Sequence, residues 1–145
     1  MKYRDSASFG KRQEYIVIAE LLRRGFDVYA TLVDDQGIDC IVRLNGKKYL
    51  DIQIKARSKV AKQWNFFAAM SFIPRQNYWF IFYTEMNNTF WILPSWEAST
   101  LSVMNKTGKN KGKRSLSFPK YLLGHKAQKF KKFMNDEGFA LLSKG

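Results

Sequence analysis

Apolar residues recur at helical spacing near the start of the chain and later alternate with polar residues, as they do in strands. The first pattern predicts an amphipathic helix that begins at Ser6 or Ser8, runs to about Arg24 and stops at Gly25. Its predicted inner face consists of Tyr15, Ile18, Leu21 and Leu22.

Three strands are predicted after the helix, over residues 26–33, 38–44 and 47–57, with a turn at residues 34–37. The second and third strands alternate between apolar and polar positions, which is typical of strands with one buried face. Asn45-Gly46 between them favours a tight hairpin. On the third strand the apolar side carries Leu50, Ile52, Ile54 and Ala56, and the polar side Asp51, Gln53, Lys55 and Arg57.

The second half of the chain predicts more strands and helices. Residues 78–84 form a wholly apolar strand, and residues 90–93 its partner after a turn at Asn87-Asn88. Residues 62–72 are ambiguous and compatible with a helix. Ser95 can cap a short helix, residues 116–118 suit a short strand, and residues 128–134 suit a helix. We therefore expect one α/β or α+β domain over residues 1–145, with a central mixed β-sheet flanked by helices.

Composition excludes several classes of protein. A chain of 145 residues with 46% hydrophobic residues has the material for one core, and no apolar run is long enough to span a bilayer. With one Cys and one His, neither an internal disulfide nor a zinc site of several Cys or His residues can form. The first residues lack the apolar stretch of a signal peptide, so we expect a cytoplasmic protein.

The charge balance indicates a polyanionic partner. Lys and Arg number 25 against 12 Asp and Glu, which gives a net charge of +13. Nucleic acid is the favoured partner and an anionic membrane surface the alternative. Residues 98–135 contain no acid, and residues 105–115 predict a flexible basic loop, although such a loop can also serve solubility alone. The candidate nucleic-acid contacts are Lys59, Lys62, Lys106, Lys109, Lys111, Lys113 and Arg114.

Four polar residues stand out against this pattern. Glu14 lies beside the apolar face of the first helix, where a carboxylate is costly unless it is paired or binds a cation. Asp39 follows Gly37, which permits a tight turn, and it points away from the apolar side of its strand. Gln53 and Lys55 are two residues apart on the next strand and so project from the same side.

Together these residues resemble the PD-(D/E)XK nuclease superfamily, which has the restriction endonuclease-like fold. The family pattern is a helix with a Glu, a strand with an Asp, and a hairpin into a strand that reads acid or Gln, any residue, Lys. It matches Glu14, Gly37-Ile38-Asp39 and Gln53-Ile54-Lys55, all within residues 9–57. Gln53 takes the place of an acid, as in resolvase-like branches, so metal binding should be weaker.

The resemblance implies a Mg²⁺-dependent nuclease, with Mn²⁺ as a possible substitute, since phosphodiester hydrolysis suits a hard cation with oxygen ligands. Asp39, Gln53, the backbone carbonyl of Ile54 and Glu14 would be the metal ligands, with Asp51 in reserve. Lys55 would orient the attacking water and stabilise negative charge.

The register of the hairpin is a condition for this site. A strict two-residue loop at Asn45-Gly46 would place Asp39 opposite Ile52, on the apolar side. A three-residue loop over residues 45–47, with Gly46 or a neighbour in the left-handed conformation, would instead place Asp39 beside Gln53.

The favoured function is thus a metal-dependent endonuclease acting on branched or duplex DNA, plausibly as a homodimer. The alternative is a non-catalytic nucleic-acid-binding module on the same fold, which the glutamine at position 53 makes credible. A membrane-surface protein with a basic helix at residues 126–133 ranks last.

Overall fold

A computed structural model of the chain describes residues 3–33 and 36–145, apart from the side chains of residues 3 and 4. The elements are α1 (Tyr3–Arg23), β1 (Asp27–Ala30), β2 (Cys40–Leu44), β3 (Lys48–Arg57), β4 (Phe66–Met70), β5 (Tyr78–Thr84), a 3-10 turn (Glu85–Asn87), β6 (Thr89–Pro94), α2 (Ser95–Leu101), β7 (Val103–Met104), β8 (Arg114–Ser117), α3 (His125–Lys131) and α4 (Asn135–Lys144).

A central sheet of five strands organises the molecule. Its order is β1-β2-β3-β5-β6, and only β3 and β5 run parallel to each other. A second sheet of three strands has the order β4-β8-β7. The predicted α/β fold, with a central mixed sheet flanked by helices, is confirmed.

The central sheet separates two hydrophobic cores. On one face, α1 contributes Val17 and Leu21, and α4 contributes Phe139 and Leu142. On the other face, the small sheet packs with α2 and α3 against an aromatic cluster that includes Phe82. Each fully buried large apolar side chain stabilises the fold by roughly 1.5–3 kcal/mol, so both faces are firmly held. The polar side of β3 lies on this second face, since its residues pair with Tyr78, Phe80 and Phe82 of β5.

The inner face of α1 differs from the prediction. Val17 and Leu21 are fully buried as part of a stripe that begins with Gln13, whereas Tyr15 and Leu22 are 64% and 55% exposed. The buried residues are four positions apart. Because the first of them is polar, the apolar pattern alone indicated a different buried face of the helix. The helix also starts before Ser6.

Segment 62–72 is not helical, because residues 66–70 form β4. This strand pairs with β8, and Phe67 contacts Phe82 and Phe118 edge-on. Its pairing partner lies some fifty residues later in the chain, so local spacing could not reveal it.

Three further predictions of local structure are corrected or left open. Ser95 starts α2 without capping it, because its hydroxyl exchanges hydrogen bonds with the backbone N–H and C=O of Arg75 at 3.0 and 2.9 Å. The last predicted helix is shifted to residues 125–131, and α4 was not predicted. Residues 34 and 35 of the predicted turn lie outside the described residues.

Within the part of the chain that the structure describes, no helix combines the length and the apolar character that a membrane crossing requires.

Candidate active site

The hairpin between β2 and β3 sets the geometry of the site. Leu44 pairs with Lys48, so three residues form the loop, and Asn45 and Gly46 adopt φ values of +51° and +71°. At the other end Cys40 pairs with Ile52. Just before Cys40, the N–H of Asp39 donates to the carbonyl of Ile52 at 2.8 Å, so Asp39 lies beside residues 52–54. The predicted three-residue loop is confirmed.

Asp39 lies immediately before β2, and its backbone and side chain are both held. Its N–H donates to the carbonyl of Ile52 at 2.8 Å, and its own carbonyl accepts from the Thr31 hydroxyl at 3.1 Å. Its carboxylate accepts the backbone N–H of Ile54 at 2.7 Å. The carboxylate thus replaces the ladder hydrogen bond that β2 would make to Ile54 if it continued, and it is fixed beside the Gln53-Ile54-Lys55 segment.

Gln53 is held by a residue that the sequence analysis did not single out. The hydroxyl of Tyr78 donates to Oε1 of Gln53 at 2.6 Å, and the same hydroxyl lies 3.3 Å from the carbonyl oxygen of Gly37. Burial raises the pKa of Tyr78; the nearby Arg75 lowers it, whereas the carboxylates of Asp39 and Asp51 raise it. The hydroxyl therefore stays protonated, and its interaction with Asp39 places Tyr78, Gln53 and Asp39 in one neighbourhood.

Gly37 makes room for this hydrogen bond. Its φ is +69°, and a Cβ at this position would lie 2.8 Å from Oε1 of Gln53 and 3.0 Å from the Tyr78 hydroxyl. A larger residue would collide with both groups. A cleft of about 420 Å³ opens here, and its lining includes Gly37, Gln53, Arg75 and Tyr78.

Lys55 projects from the same side of β3 as Gln53, since the two side chains are two residues apart. It is half-buried and pairs with Phe82 of β5. Among the residues that the structure describes, no acid lies within ion-pair distance of its ammonium group. The ammonium is therefore available to an anionic group beside Gln53.

Glu14 lies on α1. Its half-buried carboxylate pairs with the exposed Lys11 at 3.1 Å, which offsets part of the cost of burial. Burial is the main reason why the pKa of Cys40 rises to about 12, and the carboxylates of Asp39 and Glu14 raise it further. Both carboxylates thus act on the Cys40 thiol, although α1, which carries Glu14, packs on the face of the central sheet opposite the polar side of β3.

Asp51 is already engaged elsewhere. Its carboxylate forms an ion pair with Arg75 at 2.8 Å, and the Arg75 guanidinium lies 4.3 Å from the centre of the Tyr78 ring. The predicted role of Asp51 as a spare ligand therefore competes with its ion pair to Arg75. Arg75 and Tyr78 were both missed, because they reach the site through the parallel pairing of β3 with β5.

The oxygen donors of the site suit a hard cation, although they are few. Within residues 3–33 and 36–145, no three or more His, Cys, Asp or Glu side chains form a group that could hold a metal ion. The possible donors are instead two carboxylates, one amide and a backbone carbonyl. Such a mixed set fits Mg²⁺, which keeps several waters and needs only one or two carboxylates.

The basic loop is more ordered than the sequence suggested. It joins β7 to β8 as a hairpin, in which Asn105 donates to Lys113 and accepts from Gly112, both at 2.9 Å. Lys106, Lys109 and Lys111 are exposed on it, whereas Lys113 is half-buried. Arg114 lies within β8, and its guanidinium donates to the Ser99 carbonyl at 3.2 Å. Arg114 is thus the least available of the predicted contacts.

The two predicted contacts before β4 lie in the segment that follows β3. The side chains of Lys59 and Lys62 are exposed, and the backbone N–H of Lys59 donates to Glu85 at 3.2 Å. Glu85 in turn accepts from the buried amide of Gln13 at 2.8 Å. This segment is thereby tied to α1 near Glu14.

Comparison with known proteins gives a likeness in fold. No protein-family model matches the chain, and no curated protein matches it significantly. Among solved structures, a bacterial homing endonuclease superimposes with a TM-score of 0.66 over 93% of this chain and 90% of its own, at 16% sequence identity. At this identity the likeness shows the fold alone.

Proposed function

We propose that this protein is a metal-dependent endonuclease that hydrolyses phosphodiester bonds of DNA, with Asp39, Gln53, Lys55 and Glu14 at its centre. The observation that carries the proposal is the position of Asp39 beside β3, where its N–H donates to Ile52 and its carboxylate accepts the N–H of Ile54, the residue between Gln53 and Lys55. The fold shared with a bacterial homing endonuclease supports it. The arrangement also agrees with the resemblance to PD-(D/E)XK nucleases.

The cation would be held by Asp39, the amide oxygen of Gln53, the carbonyl of Ile54 and Glu14. The N–H and C=O of one strand residue point to the same edge of the strand. Because the Ile54 N–H meets Asp39, the Ile54 carbonyl faces the same edge. Mg²⁺ or Mn²⁺, when bound, would lower the pKa of a water molecule and offset charge on the phosphate.

Lys55 would act on the reacting phosphate directly. Lys55 is half-buried as a residue, where a charge acts more strongly than in bulk water, and no acid in the described residues forms an ion pair with it. It would orient the attacking water and stabilise the negative charge that develops on the phosphate oxygens. Replacement of Lys55 by Met should therefore lower the cleavage rate by roughly 100- to 1,000-fold.

DNA is proposed as substrate because of the charge of the molecule. The net charge of +13 would attract a polyanion, and the exposed Lys59, Lys62 and the 105–113 hairpin offer phosphate contacts. The described residues of one chain form one such site, and cutting both strands of a duplex at once takes two. We therefore propose a homodimer as the active form.

A plasmid assay tests the proposal. Supercoiled plasmid and a branched DNA junction are incubated with the protein in Mg²⁺, in Mn²⁺ and in EDTA, and the products are separated on gels. We expect nicked or linear DNA with either metal and intact, bound DNA in EDTA.

The same assay tests the alternative of a non-catalytic nucleic-acid-binding module. The glutamine at position 53 and the small number of carboxylates among the described residues favour this second candidate. Binding that weakens with salt, without cleavage in either metal, would establish the module and overturn the nuclease proposal.

A further inference from the structure

The outer face of the small sheet carries a trough that lies apart from the candidate active site. Two clefts of about 360 and 390 Å³ adjoin there, since both are lined by Phe66 of β4 and Ser115 of β8. Leu116 and Phe67 of the same strands face inward to the core. The trough is thus the solvent face of a sheet whose other face is firmly packed.

Lysines from two separate segments line this trough. Lys106 and Lys109 of the hairpin line one cleft, and Lys126 and Lys129 of α3 line the other. No acidic residue occurs between residues 98 and 135, which include β7, the hairpin, β8 and α3. The positive charge of these lysines is therefore not offset by any acidic residue of the same segments.

The floor between the lysines is uncharged. It includes the half-buried ring of Phe66, the exposed Val103 and the hydroxyl groups of Ser115 and Ser117. A positively charged groove with an aromatic residue in its floor is the arrangement that holds a single nucleic-acid strand, with phosphates on the cations and a base against the ring. A duplex is too wide to enter clefts of this size with its bases turned toward the floor.

The position of β4 connects the trough with the active site. Phe66 begins this strand, and its end at Met70 leads into Ser71, which lines the cleft beside Gln53. Five strand residues span about 13 Å, so the trough and the site lie at opposite ends of one short strand.

We propose that the trough over β4, β8 and α3 binds a single nucleic-acid strand, with Lys106, Lys109, Lys126 and Lys129 on its phosphates and Phe66 against a base. The inference rests on nucleic acid as the proposed substrate, but it does not require that the protein cleaves it. It explains why the lysines of α3, which are remote in sequence from the hairpin, lie on the same face.

The test measures binding of a fluorescent single-stranded oligonucleotide in EDTA, so that the result is independent of cleavage. Lys126→Gln/Lys129→Gln is compared with Lys131→Gln/Lys132→Gln, which removes the same charge from the same end of the chain but outside the trough. The plot of log K against log salt should become less steep by about 1.4 in the first variant, with a much smaller change in the second. Equal changes in both variants would overturn the proposal.

Phe66 gives a second, independent readout. Phe66→Leu keeps an apolar residue on β4 but removes the flat aromatic face, and we expect affinity for the single strand to fall roughly tenfold with an unchanged salt slope. Thermal unfolding of the variant shows that the strand still forms. Unchanged affinity, tighter binding of a duplex of equal length, or binding to phosphatidylserine vesicles instead of the oligonucleotide would each contradict the proposed occupant.

These outcomes are separable from those of the nuclease proposal. Absence of cleavage by the parent with strand binding that depends on the trough would overturn the proposed reaction and leave the trough standing, whereas cleavage by the parent with strand binding unchanged in all the trough variants would do the reverse.

Discussion

Gly37 leaves the space in which Gln53 and the Tyr78 hydroxyl meet, and a single added methyl group tests this role. In Gly37→Ala the new Cβ would lie 2.8 Å from Oε1 of Gln53, on a backbone with φ of +69°. The left-handed conformation costs an alanine about 1–2 kcal/mol, and the collision adds to it. We expect lower stability in urea unfolding and at least a roughly tenfold slower cleavage, because Gln53 is displaced.

Gly25→Ala is the matched control for this prediction. Gly25 also has a positive φ, +88°, but no atom lies within 4 Å of its missing Cβ. It should lose stability through backbone strain and retain the cleavage rate. If both variants lose activity equally, the contact with Gln53 and Tyr78 has no role of its own.

The hydrogen bond from the Tyr78 hydroxyl fixes the orientation of the Gln53 amide, with Oε1 toward the tyrosine. An amide has one oxygen and one NH₂ group, whereas a carboxylate has two equivalent oxygens. Tyr78→Phe should therefore raise the Mg²⁺ concentration needed for half-maximal cleavage in the natural chain, and much less so in a Gln53→Glu background. The four proteins form a double-mutant cycle. An equal effect of Tyr78→Phe in both backgrounds would assign the tyrosine a packing role only.

At the scale of secondary structure, the β2–β3 hairpin was predictable because its signals are local. The alternation of β3 and the Asn45-Gly46 dipeptide predict the hairpin, and the need to bring Asp39 to Gln53 selects the three-residue loop. β4 was not predictable, because it forms only against β8 and the aromatic cluster. The helix α4 was not predicted because a glycine, Gly138, lies within it. There Gly138 lies against the carbonyl of Phe133 and the side chain of Ile92.

The hairpin loop gives a prediction at this scale. Asn45 has φ of +51°, which asparagine tolerates and a β-branched residue does not. Asn45→Val should destabilise the fold by about 1–2 kcal/mol and slow cleavage, because the register of Asp39 against Gln53 depends on this loop. Asn45→Gly should match the parent in both measurements. Full activity of a stably folded Asn45→Val protein would show that the loop does not control the site.

At the scale of the whole molecule, the site draws on elements that are distant in sequence. Asp39, Gln53 and Lys55 could be predicted, because one hairpin carries them all. Tyr78 and Arg75 could not be predicted, since they follow the crossover that joins the parallel strands β3 and β5 and contains β4. The ion pair between Asp51 and Arg75 could not be predicted for the same reason.

The distribution of charge predicts how the basic hairpin contributes. Lys109 and Lys111 are exposed and remote from Gln53 in sequence, so they should assist binding without taking part in the chemistry. Lys109→Gln/Lys111→Gln should raise KM for DNA and leave kcat unchanged, which steady-state kinetics at moderate salt would show. A fall in kcat at saturating DNA would instead place the hairpin within the catalytic machinery.

The single-turnover rate of DNA cleavage in Mg²⁺, compared between the parent and Asp39→Asn, tests the central claim most directly. The asparagine retains an oxygen for the Ile54 N–H and so preserves the local fold, but it removes the charge that would hold the cation. Asp136→Asn, at an exposed acid on α4, is the control. We predict that Asp39→Asn abolishes cleavage while DNA binding in EDTA and the control remain at parent levels. Cleavage by Asp39→Asn at the parental rate would contradict the account.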